Sequence, residues 1–287
     1  MVKIDFIGVG APKAGTTWIS HVLSGHPDIC FSIMKETSFY CEPHQFINNS
    51  LFHYNGENSA SYSKFYRHCL KDSIKGEFSV HYLSDSKAYK DIYKNHPDVK
   101  ILIVLRDPIQ RFISDYNYRK FQRKEISGPV ANQINSSSPL FKFGLYAKDV
   151  KKYISLFGKE NVHVVLYDDI KKNPHKVIEN ICKFLTIDCE KIDKQEITKK
   201  INETAKIRSR FVMKFLHNIR TLMIRMGMAR TLQLLGPTES TIFALNTTPY
   251  SKVKLSKSEN KKLRELYMKD ILELEKVLGR KLNSWKE

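Results

Sequence analysis

A glycine-bounded turn, Gly10-Ala11-Pro12-Lys13-Ala14-Gly15-Thr16-Thr17, follows the apolar run Ile4–Val9 and opens a helical pattern. A strand, a Gly-rich turn and a helix in that order aim backbone N–H groups and the positive helix end at an anion, usually a phosphate. A nucleotide-hydrolysing loop would read GxxxxGK[ST]. Here the glycine spacing matches, but Thr16 stands where the lysine belongs, and the lysine lies inside the loop as Lys13. The hydroxyl of Thr17 is kept. The turn thus retains a phosphate cradle and departs from the Lys and Mg²⁺ arrangement of phosphoryl transfer. About 90 residues on, Arg106 closes the apolar run Val99–Leu105, and Ser114 follows eight positions later.

Pro12-Lys13-Ala14-Gly15-Thr16-Thr17-Trp18 resembles the 5′-phosphosulfate loop of sulfotransferases that use 3′-phosphoadenosine 5′-phosphosulfate (PAPS). The stretch Leu105-Arg106-Asp107-Pro108-Ile109-Gln110-Arg111-Phe112-Ile113-Ser114-Asp115-Tyr116 is similar to that family's 3′-phosphate motif. Lys35-Glu36-Thr37-Ser38-Phe39-Tyr40 is similar to its Lys-Glu-x-x-Phe-Phe segment, whose Glu is the base in the glycosaminoglycan-type branch and its bacterial relatives. The cytosolic small-molecule branch uses a His instead, with no clear equivalent here. Leu266-Tyr267 and the stretch from Leu278 to Trp285 resemble the family's closing helix, so the likeness runs in pieces from residue 4 to residue 285.

The resemblance implies PAPS as donor, 3′-phosphoadenosine 5′-phosphate as product, and no metal, because Lys and Arg supply the countercharge. It implies Glu36 as base and Lys13 against the leaving phosphate oxygen. Lys13, Ala14, Gly15, Thr16, Thr17 and Trp18 would bind the 5′-phosphate, and Arg106 and Ser114 the 3′-phosphate. Lys35 and His81 would line the acceptor site. The late basic loop falls near Tyr250–Leu255, where Lys252 and Lys254 are the available cations. Heparan-type relatives often carry Gly-Glu-Lys-[Ser/Thr]-Pro after the third strand. Here the segment reads Gly76-Glu77-Phe78-Ser79-Val80-His81-Tyr82, so that lysine is missing. Trp18 suits core packing as well as cofactor contact, and His81 suits a structural role.

These residues need strand edges to stand on. Ile4–Val9, Ile29–Phe31, Val99–Leu105 and Val162–Tyr167 read as buried strands. Thr16–Ser24 and Pro174–Leu185 read as helices, the first stopped at Gly25-His26-Pro27. Strands alternating with helices predict an α/β fold: a P-loop-like central parallel sheet with helices on both faces, as in the sulfotransferase fold. One domain over 1–287 is expected. Ser127–Pro139 reads as a surface loop, and Ser256-Lys257-Ser258-Glu259 as a capping box. Residues 199–230 hold nine Lys+Arg and one acid with apolar residues at helical spacing, so 199–235 reads as a basic amphipathic helical segment within the domain.

The 287 residues carry 48 Lys+Arg against 30 Asp+Glu, a net charge of +18. The first 100 are nearly neutral, with 11 basic and 10 acidic residues, so the excess lies downstream. It implies an anionic partner: nucleic acid, a membrane surface, an anionic glycan or a phosphorylated cofactor. With 41% hydrophobic residues, wholesale disorder is excluded. No apolar window reaches membrane-spanning length, and Met1–Asp5 shows no signal-peptide pattern. Five cysteines without metal spacing fit reduced thiols in a cytoplasm and argue against a disulfide scaffold. The resulting expectation is a cytoplasmic PAPS-dependent sulfotransferase acting on a carbohydrate hydroxyl, with peripheral membrane contact open and no nucleic acid. The alternatives are sulfation of a lipid or polyketide-type metabolite, a P-loop small-molecule kinase, and a basic nucleic-acid-binding protein.

Overall fold

Short β-branched and aromatic runs, apolar on both faces, form the centre of the molecule. The computed structural model describes residues 2–42, 54–55, 58–199, 205–207, 209–226 and 245–287. Five strands, β1 (Phe6–Gly10), β2 (Ile29–Phe31), β3 (Ile74–Phe78), β4 (Lys100–Leu105) and β5 (Val162–Leu166), make one parallel sheet in the order β2-β3-β1-β4-β5. All five residues of β1 are buried, as are all of β4 except Lys100, which is why no polar alternation marks these strands. Aromatic rings on glycines set the β1–β3 register. Phe6 lies opposite Gly76 and Phe78 opposite Gly8. A Cβ on Gly76 would sit 2.1 Å from the Phe6 ring, and one on Gly8 would sit 1.9 Å from the Phe78 ring.

The helices are α1 (Thr16–Ser24), α2 (Ala88–Asn95), α3 (Pro108–Asn117), α4 (Pro139–Lys142), α5 (Ala147–Phe157), α6 (Tyr167–Lys172), α7 (Pro174–Leu185), α8 (Lys194–Thr198), α9 (Arg210–Arg225) and α10 (Lys257–Leu278). They flank the sheet in two groups: α1, α6, α7 and α8 pack together, and α2, α3, α5 and α10 pack together. The capping box opens α10: Ser256 Oγ accepts from Glu259 N, and the Glu259 carboxylate accepts from Ser256 N at 2.8 Å. Leu263, Tyr267, Ile271 and Leu274, spaced three to four apart, bury its inner face. A two-stranded antiparallel ribbon, β6 (Ala205–Ile207) with β7 (Thr247–Pro249), stands apart from the main sheet.

Three expectations need correction. β2 has the expected bounds, whereas β1, β4 and β5 begin or end one to two residues from the limits of their apolar runs, and Tyr167 belongs to α6 rather than β5. Among the described residues the basic segment is a helix over Arg210–Arg225 and a strand over 205–207; 200–204, 208 and 227–235 lie outside the described residues. Cys30 and Cys69, 39 positions apart, are joined in a disulfide, while Cys41, Cys182 and Cys189 are free. The pairing was invisible in local spacing, since β2 and the segment after the turn Ser59–Tyr66 meet only in the fold, at a Cα separation of 5.8 Å. Cysteine usage therefore carries no argument for a reducing compartment.

Glu77, on β3, is fully buried, and neither carboxylate oxygen makes a hydrogen bond of normal geometry. Burial pushes its pKa up to about 7, against the opposing pull of the Thr37, Tyr62 and Tyr82 hydroxyls. In the unfolded chain the same group titrates near 4.5. The stability of the protonated form is therefore complete below pH ~4.5 and is lost as pH rises to about 7. Glu77→Gln, which mimics the protonated carboxyl, is expected to match wild type in denaturant unfolding near pH 4.5. At pH 8 it should exceed wild type by about 2–3 kcal/mol. An offset that does not change with pH would contradict this account.

Candidate active site

The turn between β1 and α1 leaves the start of the helix without a side-chain cap. Gly15 occupies the N-cap of α1 with φ 103°. Only glycine fits, because a Cβ there would lie 2.9 Å from the Tyr167 ring in addition to the backbone strain. Lys13 is itself left-handed, with φ 63°, a conformation uncommon outside glycine and concentrated at functional sites. Its ammonium stands 4.1 Å from the centre of the Tyr118 ring. Ala14 and Thr16 are buried beside it.

Two more cations converge on this turn. The Lys35 ammonium donates to Thr17 Oγ1 at 2.6 Å and lies 3.7 Å from the Glu36 carboxylate. That leaves the Thr17 hydroxyl its own proton to give to an anion. Arg106, immediately after β4, donates to the Lys13 carbonyl at 3.3 Å, and its guanidinium lies 4.7 Å from the centre of the Tyr167 ring. Burial lowers the pKa of Lys13; Lys35 and Arg106 push the same way, against Asp115 and Glu36. Burial lowers Lys35 too, with Glu36 opposing.

Local chemistry explains each placement. Asp107 caps α3 by accepting from Ile109 N and Gln110 N, and Pro108 takes the first helical position, so Arg106 is left at the strand edge. Burial raises the Asp107 pKa against those two bonds. The Tyr146 hydroxyl donates to the Arg106 carbonyl at 2.9 Å. Ser114 is half-buried on α3, one turn before Tyr118. From Tyr118 to Arg123 the helix widens to π geometry, a feature frequent at functional sites. The Asn117 amide clamps Val253, donating to its carbonyl at 3.0 Å and accepting from its N–H at 2.9 Å. Phe121 packs on Tyr250 at 4.2 Å. These two anchors pin the Tyr250–Leu255 segment, with Lys252 exposed, against the helix that carries Ser114 and Tyr118.

The Glu36 loop is tied down from within. The Thr37 and Tyr82 hydroxyls share a hydrogen bond of 3.1 Å, Tyr40 N donates to Tyr82 at 3.3 Å, and Ser38 N donates to Ser79 Oγ at 3.0 Å. Glu36 itself keeps 38% of its side-chain surface open to solvent, within reach of an incoming molecule. His81, next to Tyr82, rests against the Phe143 ring at 5.4 Å. Trp18 turns its indole away: Nε1 donates to the Ile197 carbonyl on α8 at 3.2 Å, and its backbone N–H bonds to Gly15 O. The fold therefore gathers Lys13, Gly15, Thr17, Lys35, Glu36 and Arg106 into one constellation, while Trp18 anchors α1. Sequence reasoning missed Tyr118, Tyr167, Tyr82 and Asn117. Tyr118 sits four positions after Ser114, so helical spacing could have found it.

Comparison with known proteins decides the family. The profile of the sulfotransferase domain matches residues 3–214. The chain belongs to the sulfotransferase family. Heparan sulfate glucosamine 3-O-sulfotransferase 5 of Homo sapiens is 26% identical over 191 residues, covering 62% of this chain and 52% of that protein. Carbohydrate sulfotransferase 15 of Rattus norvegicus is 22% identical over 245 residues, covering 63% of this chain and 43% of that protein. The chain thus spans about half the length of the curated relatives it matches. The crystal structure of a sulfotransferase from Alicyclobacillus acidocaldarius superposes with a TM-score of 0.71 over the whole of both chains at 21% identity, so the sulfotransferase fold is shared.

Two glycines of this sulfotransferase chain differ in backbone strain and in packing. Gly279 has φ 64° and nothing within 4 Å of a built Cβ. Gly279→Ala is expected to cost about 1 kcal/mol in denaturant unfolding, from the left-handed backbone alone. Gly15→Ala should cost about 2 kcal/mol more, because its φ of 103° lies beyond the left-handed region that L residues tolerate and Tyr167 must also move. Equal costs would mean that neither constraint shapes the turn.

Proposed function

We propose that this sulfotransferase domain binds PAPS at the β1–α1 turn and transfers the sulfuryl group to a carbohydrate hydroxyl. The observation that carries the reading is the crowding of Lys13, Lys35 and Arg106 around an uncapped helix start, with Glu36 open at its rim. Cations so placed repel one another and are partly stripped of water. A polyanionic donor fits them, and the cradle at Gly15 has no room even for a methyl group. When bound, the donor supplies the sulfuryl group together with a phosphate oxygen to carry the departing charge.

The backbone N–H groups of Ala14, Gly15, Thr16 and Thr17 and the Thr17 hydroxyl would bind the 5′-phosphate at the start of α1, with Trp18 holding that helix in place. Arg106 and Ser114 would bind the 3′-phosphate, and Lys252 would cover the donor from the exposed loop. Lys13 would stabilise charge growing on the bridging oxygen. Glu36 would take the acceptor hydroxyl proton as the new S–O bond forms, in line with the one that breaks. Lys35 would hold Glu36 and Thr17 in register, and His81 would line the acceptor side. Lys13, Lys35 and Arg106 supply the countercharge this scheme requires, so it calls for no metal. A carbohydrate acceptor is supported by the names of the heparan sulfate and carbohydrate sulfotransferases the chain is similar to, and by the basic excess after residue 100. The missing lysine after Glu77 leaves the acceptor pocket different from the heparan pattern.

Titration calorimetry with 3′-phosphoadenosine 5′-phosphate is expected to give micromolar-range binding to wild type, weakened at least tenfold by Arg106→Ala. Glu36→Gln should bind equally well yet lose about 10²-fold or more in turnover of PAPS with a glycan acceptor. Absence of nucleotide binding would sink the whole reading, whereas full activity of Glu36→Gln would remove only the base.

The lowered pKa values of Lys13 and Lys35 set the pH dependence. Both must be protonated to hold the anion, and both lose their protons below the ordinary lysine value of 10.5. Affinity for 3′-phosphoadenosine 5′-phosphate should therefore fall as pH rises, at lower pH than for lysines of ordinary pKa. Lys13→Arg, which keeps its charge, should move the fall upward. A fall at the same pH in wild type and Lys13→Arg would contradict the assignment.

A further inference from the structure

The helix α9 presents an apolar row to solvent. Phe211, Phe215, Ile219, Leu222 and Met226 recur at three- to four-residue spacing and are 79%, 57%, 39%, 57% and 59% exposed. They are half of the exposed large hydrophobic residues found among the described residues, gathered on one helix and the residue after it. Val212, Leu216 and Met223 form the adjacent row and are half-buried, with Met223 packed against the core. The helix thus rests on the protein through one row and turns a second outward. A contiguous apolar stripe of this kind marks an interaction surface rather than scattered surface leucines.

Charge selects the partner. Between Arg210 and Arg225 the sequence holds Arg210, Lys214, Arg220 and Arg225 and no acid. A second copy of a chain with net charge +18 would bring two acid-free helices together against their repulsion. A nucleic acid would answer the basic residues but leave five apolar side chains against phosphate and water. An anionic bilayer satisfies both: its headgroups take the positive charge, and the boundary with the acyl chains takes the apolar row. No helix among the described residues is long and apolar enough to cross a membrane, so the geometry is that of a helix lying on the surface.

The helix is also tied to the active-site side of the molecule. The Asn246 amide clamps Ser209, accepting from its N–H and donating to its carbonyl at 2.9 Å each, which fixes the start of α9 beside the β6–β7 ribbon. That ribbon packs on the π-helical turn Tyr118–Arg123, whose first residue seats Lys13. We propose that α9 docks this domain on an anionic phospholipid surface, with Phe211, Phe215, Ile219, Leu222 and Met226 in the headgroup–acyl boundary.

The test is co-sedimentation with sucrose-loaded vesicles, either pure phosphatidylcholine or phosphatidylcholine mixed with phosphatidylglycerol. Wild type should sediment with the mixed vesicles and stay in solution with the pure ones. The triple substitution Phe211→Ser, Phe215→Ser, Leu222→Ser should lower partitioning by about tenfold or more, with melting midpoint and solution mass unchanged. Wild type that ignores the anionic vesicles overturns the proposal, as does a triple variant that binds as well as wild type. A triple variant with a clearly lower midpoint would show the row to be covered within the chain. One with a smaller solution mass than wild type would show it to be covered by a second copy. None of these readouts depends on sulfuryl transfer, so they stand whether or not the proposed reaction holds.

Discussion

Like charges do not gather unless a fold compels them. At the C-terminal edge of a parallel sheet this chain brings Lys13 from the turn after β1, Lys35 from the segment after β2 and Arg106 from the end of β4. Lys35 and Arg106 both depress the Lys13 pKa, so Lys13 lies within the field of each. Two like charges several Å apart near a protein surface repel by on the order of 2 kcal/mol. That repulsion, together with lost hydration, has to be offset by the surrounding structure until an anion arrives. Much of the architecture is intelligible as the means of doing so. The rings of Tyr118 and Tyr167 lie against two of the cations, where the negative face of an aromatic ring is favourable and brings no competing anion. The carboxylates are fewer than the cations and offset: Glu36 beside Lys35, and Asp115 behind Lys13.

Asp115 shows how deep the support goes. It is buried between Arg111 and Arg119 at 3.2 and 3.1 Å, and Arg119 reaches on to Glu125 at 2.9 Å. Arg111 also donates to the Leu140 carbonyl at the foot of α4. Removing one partner from such a set leaves a buried charge uncompensated, and the bond from Arg111 to the Leu140 carbonyl ties α3 to α4. Arg106, Ser114, Asp115 and Tyr118 are then presented together from one rigid segment. The other aromatic seat depends on the far end of the chain. Tyr167 opens α6, and its neighbours are held by the C-terminal segment: Trp285 donates to Asp168 at 2.8 Å, and Arg280 pairs with Asp169 at 2.6 and 2.7 Å. Residues more than a hundred positions away thus decide where Arg106 has its ring.

This division between local and distant causes also sets how much could be read beforehand. The strand–turn–helix at residues 6–24 and the Ser256–Glu259 box are written in neighbouring residues, and they stand within a residue or two of where spacing placed them. The cations of the site were legible through the motifs that contain them, Lys13 in the Gly-rich turn, Lys35 in the Lys-Glu segment and Arg106 in the Arg-Asp-Pro segment. Tyr82 and Tyr167 were not, because an aromatic residue beside an apolar run reads as core whether or not its ring or hydroxyl meets a polar partner. Cys30 and Cys69 failed differently: their pairing depends on the return of the chain after Tyr66 to the edge strand β2, a contact no local pattern encodes. The basic segment after residue 199 was legible as amphipathic, but periodicity shows only that a face is apolar. It does not say whether that face is turned inward, and on α9 one row is and the next is not.

The surplus of positive charge has to be explained separately from stability. Many of the ion pairs are exposed, among them Lys183 with Glu179, Lys191 with Asp28 and Lys171 with Asp168. Pairs of that kind contribute roughly 0–1 kcal/mol each and weaken with salt. Beyond them an excess of +18 remains, almost all of it after residue 100. Such an excess opposes compaction through self-repulsion, so its use is to be sought in association. Its placement separates two tasks. The desolvated cations at the sheet edge act at contact range, where geometry decides which oxygen is stabilised. Those along the outer surface act over about one Debye length, ~8–10 Å, where only the sign of the charge matters. Long-range attraction of anions belongs to the second set, and discrimination at contact to the first, which lies in the half-buried turn behind Glu36.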